Sequence, residues 1–272
     1  SVSTLYRLIN AGAISIRNID LHEKVSRKIP TKKRKSKDAY AVLSKEKIGH
    51  LWSDYLKYTS KHDVMTVEQD CVEGLKTDNA TLLTLHWRQL HTQIAIIMDK
   101  QDSEHIVEAL DKIEQALGTE LFKQCFPVIL TDNGHEFINS EEIQKISSNI
   151  NIFYCHPYSS FEKGSIENNH ELIRRVIPKG VSLKIYTQEE LNLLCSHINS
   201  LYRESLNSKC PFDLIDKYIP IGKINELGLT KINPLEVSLI PELLGDKNIN
   251  NIKKYLDKND IKKANISFLN ED

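Results

Sequence analysis

Three strand-like runs follow one another between Val64 and Asp99, and no other feature of the chain narrows its fold as far. Residues 64–72 carry apolar side chains around Glu68 and Asp70, and residues 80–87 and 92–99 are rich in Leu, Ile and Thr. A short polar connection near Arg88 to His91 parts the last two, so an antiparallel meander is expected. Residues 103–117 then read as an amphipathic helix, with Ile106, Leu110, Ile113 and Leu117 on one face, Ser103 as cap and Gly118 near the end. Residues 127–131 form a short apolar strand, 140–147 a helix and 151–155 another strand. Strands that alternate with helices after a meander predict an α/β protein, a mixed sheet with helices on both faces.

The flanks divide less sharply. Residues 1–20 read as a short helical piece, with Leu5, Leu8 and Ile9 at helical spacing. Residues 21–60 combine a basic linker with a helix, 61–182 hold the sheet, 183–244 are helical, and 245–272 form a polar tail. No apolar run approaches the roughly 18–20 residues of a bilayer span, so no membrane partner is expected. Nothing at the start has the pattern of a signal peptide, and Ser1 stands where an initiator Met would be, which suggests a fragment. The five cysteines are odd in number and include no Cys-x-x-Cys pair, which disfavours disulfides and Cys-rich zinc sites and fits a reducing cytoplasm.

A formal net charge of −1 gives no bulk attraction to nucleic acid. The distribution says more, because Lys24, Arg27, Lys28, Lys32, Lys33, Arg34, Lys35 and Lys37 crowd one segment. That segment is either a solvated linker or a strap that contacts phosphates and releases counterions.

Three carboxylates stand at the ends of elements. Asp70 lies within the first strand, where alternation places it on the same face as Glu68, and an acid among apolar neighbours there demands compensation. Asp132 follows Val128-Ile129-Leu130-Thr131, and Asn133-Gly134 turns the chain away. Glu167 opens a helix after Lys163-Gly164-Ser165. If the first and fourth strands are neighbours, the three meet at one sheet edge. Convergent carboxylates repel unless cations join them, and hard oxygen donors suit magnesium. Taken alone, Asp132 reads as a turn aspartate and Glu167 as a favourable charge in the first helical turn. Their flanks in combination favour the metal site.

Those flanks resemble a known family. Glu68-Gln69-Asp70-Cys71-Val72-Glu73-Gly74, Leu130-Thr131-Asp132-Asn133-Gly134-His135-Glu136-Phe137, and Gly164-Ser165-Ile166-Glu167-Asn168 running on to Arg174-Arg175-Val176-Ile177-Pro178-Lys179-Gly180 closely resemble transposases of the IS30 family. The resemblance covers roughly residues 1–244. It implies a ribonuclease-H-like mixed five-stranded sheet flanked by helices, with Asp70, Asp132 and Glu167 as a DDE triad holding two Mg2+ ions, Mn2+ substituting. It also implies cleavage at transposon ends and transfer of the freed 3′-hydroxyls into target DNA, by a homodimer or higher oligomer on DNA in the cytoplasm. Arg174, two helical turns beyond Glu167, with Arg175 and Lys179, is expected at DNA phosphates, as are Lys32, Lys33, Arg34 and Lys35 of the basic segment. Residues 3–9 resemble the last helix of a helix-turn-helix unit, with Thr4 and Arg7 facing outward; its partner helices would precede Ser1. His156 and the stretch Ser160-Phe161-Glu162 depart from the family pattern without touching the triad. The alternatives are a plain nuclease on the same fold, and an inactive element relic that only binds DNA or a partner.

Overall fold

Strand β1 (Thr66–Glu73) pairs antiparallel with β2 (Thr81–Trp87), and β2 with β3 (Thr92–Met98), so the meander forms as its sequence predicts. The computed structural model describes residues 2–10, 13, 49–75, 77–134, 137, 150–156 and 159–258. It comprises two compact units, Ser1–Val42 and Leu43–Asp272. In the first, helix α1 (Val2–Asn10) exposes Thr4 and Arg7, in line with its spacing. The basic cluster from Lys24 to Lys37 and the helix expected at 140–147 lie outside the described residues.

In the second unit, helix α2 (Trp52–Thr59) precedes the sheet. Strands β4 (Val128–Thr131) and β5 (Asn151–Tyr154) add in parallel to the far side of β1, with Glu68 opposite Leu130, and the strand order is β3-β2-β1-β4-β5. Both faces are covered. Val67, Leu83 and Leu85 pack with one hydrophobic cluster, and Val72 and Leu82 with another. That double burial explains why all seven residues of β2 are buried and why its sequence alternates so little.

Helix α3 (Ser103–Leu117) buries Ile106, Ala109, Leu110, Ile113 and Leu117, as its period requires. Its cap is Asp102, whose carboxylate accepts from the His105 N–H, rather than Ser103. Helix α4 (Thr119–Cys125) follows at once and was not expected from the pattern. Phe122 stacks on Phe126 at 4.5 Å, and the Trp87 indole donates to the Cys125 carbonyl at 2.8 Å. Helix α5 (Gly164–Val176) lies over β1 and β2, preceded by a 3-10 turn at Ser160–Lys163.

The C-terminal part is helical, as its sequence predicts, and packs against the sheet. Helix α6 (Gln188–Ser200), opened by a Thr187–Glu190 capping box, runs along the edge strand β3. The Gln188 amide bonds Ala95 O and Ile97 N, and the Asn199 amide bonds Gln93 N and O. Four backbone groups that would otherwise form an open sheet edge are thereby satisfied. Short helices α7 (Phe212–Ile215) and α8 (Ile221–Glu226) supply Phe212, Ile215 and Ile224 to the core that β2 and α3 share. The stretch read as a polar tail carries helix α9 (Gly245–Lys258), with Ile252 buried in the other core. Asn248, fully buried on the same helix, donates to Val176 O and Pro241 O and accepts from the Tyr186 hydroxyl. Gly180 has φ +86°, and a side chain there would run into the Tyr255 ring of α9, which gives Pro178-Lys179-Gly180 a packing role.

Candidate active site

Asp70 and Asp132 come together because β1 and β4 are adjacent and parallel, which brings like ends of the two strands side by side. In each carboxylate one oxygen is fixed by the backbone. The Cys71 N–H donates to Asp70 Oδ1 at 2.8 Å, and the Gly134 N–H donates to Asp132 Oδ1 at 2.9 Å. The other oxygens share one cation. Lys163 Nζ lies 3.3 Å from Asp70 Oδ2 and 3.8 Å from Asp132 Oδ2, and it also donates to Gln69 O at 3.2 Å. The lysine side chain is only 6% exposed, whereas that of Asp132 is 48% exposed, so the pair opens to solvent on the Asp132 side.

Glu167 is exposed on the first turn of α5. Among the described residues no three of Asp, Glu, His and Cys converge tightly enough to hold a metal. The structure thus brings two of the three expected carboxylates onto one cation and leaves Glu167 outside that contact.

What sets the position of Glu167 is its anchorage. Glu68, fully buried, accepts from the Ile166 N–H at 2.6 Å with one oxygen and from Arg88 Nε at 2.7 Å with the other. A carboxylate at the start of a helix is favourable there. Arg88 also donates to the Tyr55 hydroxyl at 2.9 Å and to Glu162 O at 2.5 Å. Glu162 in turn accepts from the His156 N–H at 2.8 Å, and its other oxygen meets His156 Nδ1 at 2.7 Å. The turn before α5 is therefore tied to β1, β2, α2 and the end of β5. Burial raises the Glu68 pKa and the Arg88 guanidinium opposes it, with burial the stronger.

Sequence reasoning put Glu68 on the face of Asp70 and required that it be compensated, but it did not name Arg88, Glu162 or Lys163 as partners. Arg88 stands in the connection between two strands, and only the register of β1 on β2 places it against Glu68. Lys163 carried a signal, since a lysine next to Gly164 just before Glu167 sits where acids converge.

The expected DNA contacts divide. Arg175 and Lys179 are exposed. Arg174 is half-buried and donates to Glu73 O at 2.6 Å and to Pro178 O at 3.4 Å, holding α5 against the end of β1. Arg7 is exposed on α1, and Lys32, Lys33, Arg34 and Lys35 fall outside the described residues.

Two imidazoles, His170 of α5 and His86 of β2, lie where the helix packs on the sheet. Thr84 Oγ1 donates its proton to Asp70 O, so the 2.7 Å contact with His170 Nε2 has the imidazole as donor. Asn169 Nδ2 donates to His86 Nδ1 at 2.6 Å. Burial lowers the His170 pKa to about 3 and drives that of His86 well below its ordinary value. The unfolded chain binds these protons near pH 6.5 and the folded one does not. Stability from His170 is therefore complete above about pH 6.5 and falls toward pH 3, by about 1.4 kcal/mol per pH unit, and His86 acts in the same direction. Urea midpoints measured from pH 7 down to pH 4 should show this slope, and it should shrink in His86→Gln or His170→Gln.

A mixed sheet in the order 3-2-1-4-5, with acidic residues where its first and fourth strands adjoin, defines the ribonuclease-H-like class. Comparison with known proteins narrows this. The chain is similar to transposases encoded by insertion sequence elements. It is 30% identical over 154 residues to transposase InsI of IS30A from Escherichia coli K12, a match covering 57% of this chain and 38% of that protein. It is 30% identical over 203 residues to the probable transposase of IS1161 from Streptococcus salivarius, covering 73% and 54%. The chain thus spans about half or less of the length of these relatives. No family model matches it. Among solved structures, it is similar to the HTLV-2 integrase catalytic core in complex with magnesium (17% identity, TM-score 0.40, 55% of this chain and 94% of that one). The BIV integrase catalytic core is similar to the same degree (15%, TM-score 0.41, 56% and 94%). Among the described residues no helix is long and apolar enough to cross a membrane.

Proposed function

We propose that this chain is the catalytic part of a DNA transposase, which cleaves at transposon ends and joins the freed 3′-hydroxyls to target DNA. The observation that carries the reading is the Asp70–Asp132 pair, two carboxylates from neighbouring parallel strands that turn their free oxygens toward one cation. The donor set suits a divalent metal, since both groups are hard oxygen ligands and the Lys163 ammonium stands in for a cation between them. Asp70, Asp132 and Glu167 are the residues that would hold Mg2+ or Mn2+, two ions in the full reading. When bound, such ions activate the attacking hydroxyl and stabilise charge on the leaving oxygen.

The chain's own residues do the positioning. The Cys71 and Gly134 amides hold one oxygen of each aspartate, which leaves the other of each to face a shared cation. Glu68 and Arg88 hold the start of α5, and with it Glu167, against the sheet. Arg175 on its exposed side and Lys179 just beyond its end, together with Arg174, Arg7 and the basic segment Lys32, Lys33, Arg34 and Lys35, would steer DNA phosphates. DNA is thus the partner. Transfer of two ends needs two catalytic centres, which a homodimer or higher oligomer on DNA supplies. Five cysteines, an odd number with no Cys-x-x-Cys pair, suit the cytoplasm.

The test is a joining assay with the full-length protein, a pre-cleaved transposon end, target DNA and Mg2+. The reading predicts covalently joined products that vanish with chelator. Nicks without joining would favour the plain nuclease, and retention of DNA without either product would favour the relic.

A further inference from the structure

We propose that Lys163 is the resident counter-ion of the Asp70–Asp132 pair, and that divalent metal enters this site by exchanging with its ammonium rather than by filling a vacant cradle. The inference rests on the metal-site reading of those two aspartates and adds to it a residue that the triad does not contain.

The geometry is specific. Lys163 is buried and donates to Gln69 O at 3.2 Å, and its ammonium lies at ion-pair distance from both carboxylates, 3.3 Å from Asp70 Oδ2 and 3.8 Å from Asp132 Oδ2. Both aspartates give the lysine the oxygen that the Cys71 and Gly134 amides leave free. A metal held by the same two aspartates would compete with the ammonium for them. The lysine is also held from behind. Its neighbour Glu162 is pinned through its carbonyl to Arg88 and through its carboxylate to His156, so the main chain stays in place while the side chain leaves. A long, flexible lysine stem suits that movement, as a planar guanidinium making paired bonds would not.

Two consequences follow. Before metal arrives, the ammonium keeps two close carboxylates together without mutual repulsion, so the site is assembled in advance. Once metal arrives, one positive charge must be moved aside, which weakens divalent binding relative to the same site without the lysine. A charge this close, partly screened by solvent, changes affinity by about tenfold or more.

The experiment measures Mn2+ binding by electron paramagnetic resonance on the full 272-residue chain and its variants. Lys163→Met is expected to bind Mn2+ about tenfold more tightly than wild type, and Lys163→Arg no more tightly than wild type. Equal or weaker binding by Lys163→Met overturns the proposal. A parallel measurement needs no variant. An amine-acylating reagent, followed by mass spectrometry, should label Lys163 slowly in metal-free protein and faster at saturating Mg2+. Labelling that metal leaves unchanged, or slows, overturns the proposal as well. Asp132→Ala separates the two levels. If it binds Mn2+ as wild type does, the aspartate pair is not the metal site. If it loses binding while Lys163→Met matches wild type, the pair stands and the exchange does not.

Discussion

Asp132→Ala is expected to reduce divalent-dependent joining of a pre-cleaved DNA end by about a thousandfold or more while leaving the protein folded. A thousandfold corresponds to about 4 kcal/mol of barrier. That is a fitting loss for a group that helps hold the charge-stabilising ions of the reaction. The structural cost is small, because Asp132 sits in a turn with its side chain 48% exposed. It gives up one hydrogen bond from the Gly134 N–H, worth about 1 kcal/mol. Lys163 keeps Asp70 and Gln69 O as partners. The two readouts, joining rate and urea midpoint, should therefore separate widely. A variant that joins ends at the wild-type rate would remove Asp132 from the chemistry.

The second large effect concerns Arg88. Replacing it with Met is expected to cost about 3–5 kcal/mol of stability, the usual result of stripping one partner from a buried ion pair. Glu68 has no exposed side-chain surface and would keep only the Ile166 N–H. Arg88 also joins α2 through Tyr55 and the turn before α5 through Glu162 O, so three elements lose a common tie. The sign of the pH dependence follows from Glu68. Burial already raises its pKa against the pull of Arg88, and without that pull the folded state favours the protonated acid. A carboxylate raised above its unfolded value loses stability as pH rises past about 4.5, so the deficit of Arg88→Met should grow from pH 5 to pH 8. Arg88→Lys should recover only part of it, because a lysine restores charge without the fork that reaches Glu68, Tyr55 and Glu162 together. Denaturant titrations at those two pH values decide the matter. A loss below about 1 kcal/mol at both would show that the ion pair does not hold the helix.

The comparison of sequence and structure divides along the range of the interactions. Helix α3 was legible to the residue because its apolar period is local, and the meander because its turns are short. Helix α4 was not, since seven residues with no side-chain cap leave too short a pattern to read. Helix α9 was hidden for a different reason. Its buried face includes Asn248, a polar residue whose three hydrogen bonds reach Val176, Pro241 and Tyr186, so its composition looked like that of a solvated tail. At the site, Asp70 and Asp132 could be expected from strand ends and turn chemistry. Lys163 could not be placed between them without knowing that the turn at Ser160–Lys163 folds back over β1. The reach of Arg174 to Glu73 O likewise depends on the angle of α5 across the sheet, which a helical period does not contain.

The central claim is that Asp70, Asp132 and Glu167 jointly hold the catalytic cations. The most direct test is a crystal structure of the protein bound to a DNA end and Mn2+, with the ions located by their anomalous scattering. The account predicts ions on the free oxygens of Asp70 and Asp132, the Lys163 ammonium moved out from between them, and Glu167 as a further ligand. Ions lodged elsewhere at saturating Mn2+, with the two aspartates still closed on Lys163, would contradict it.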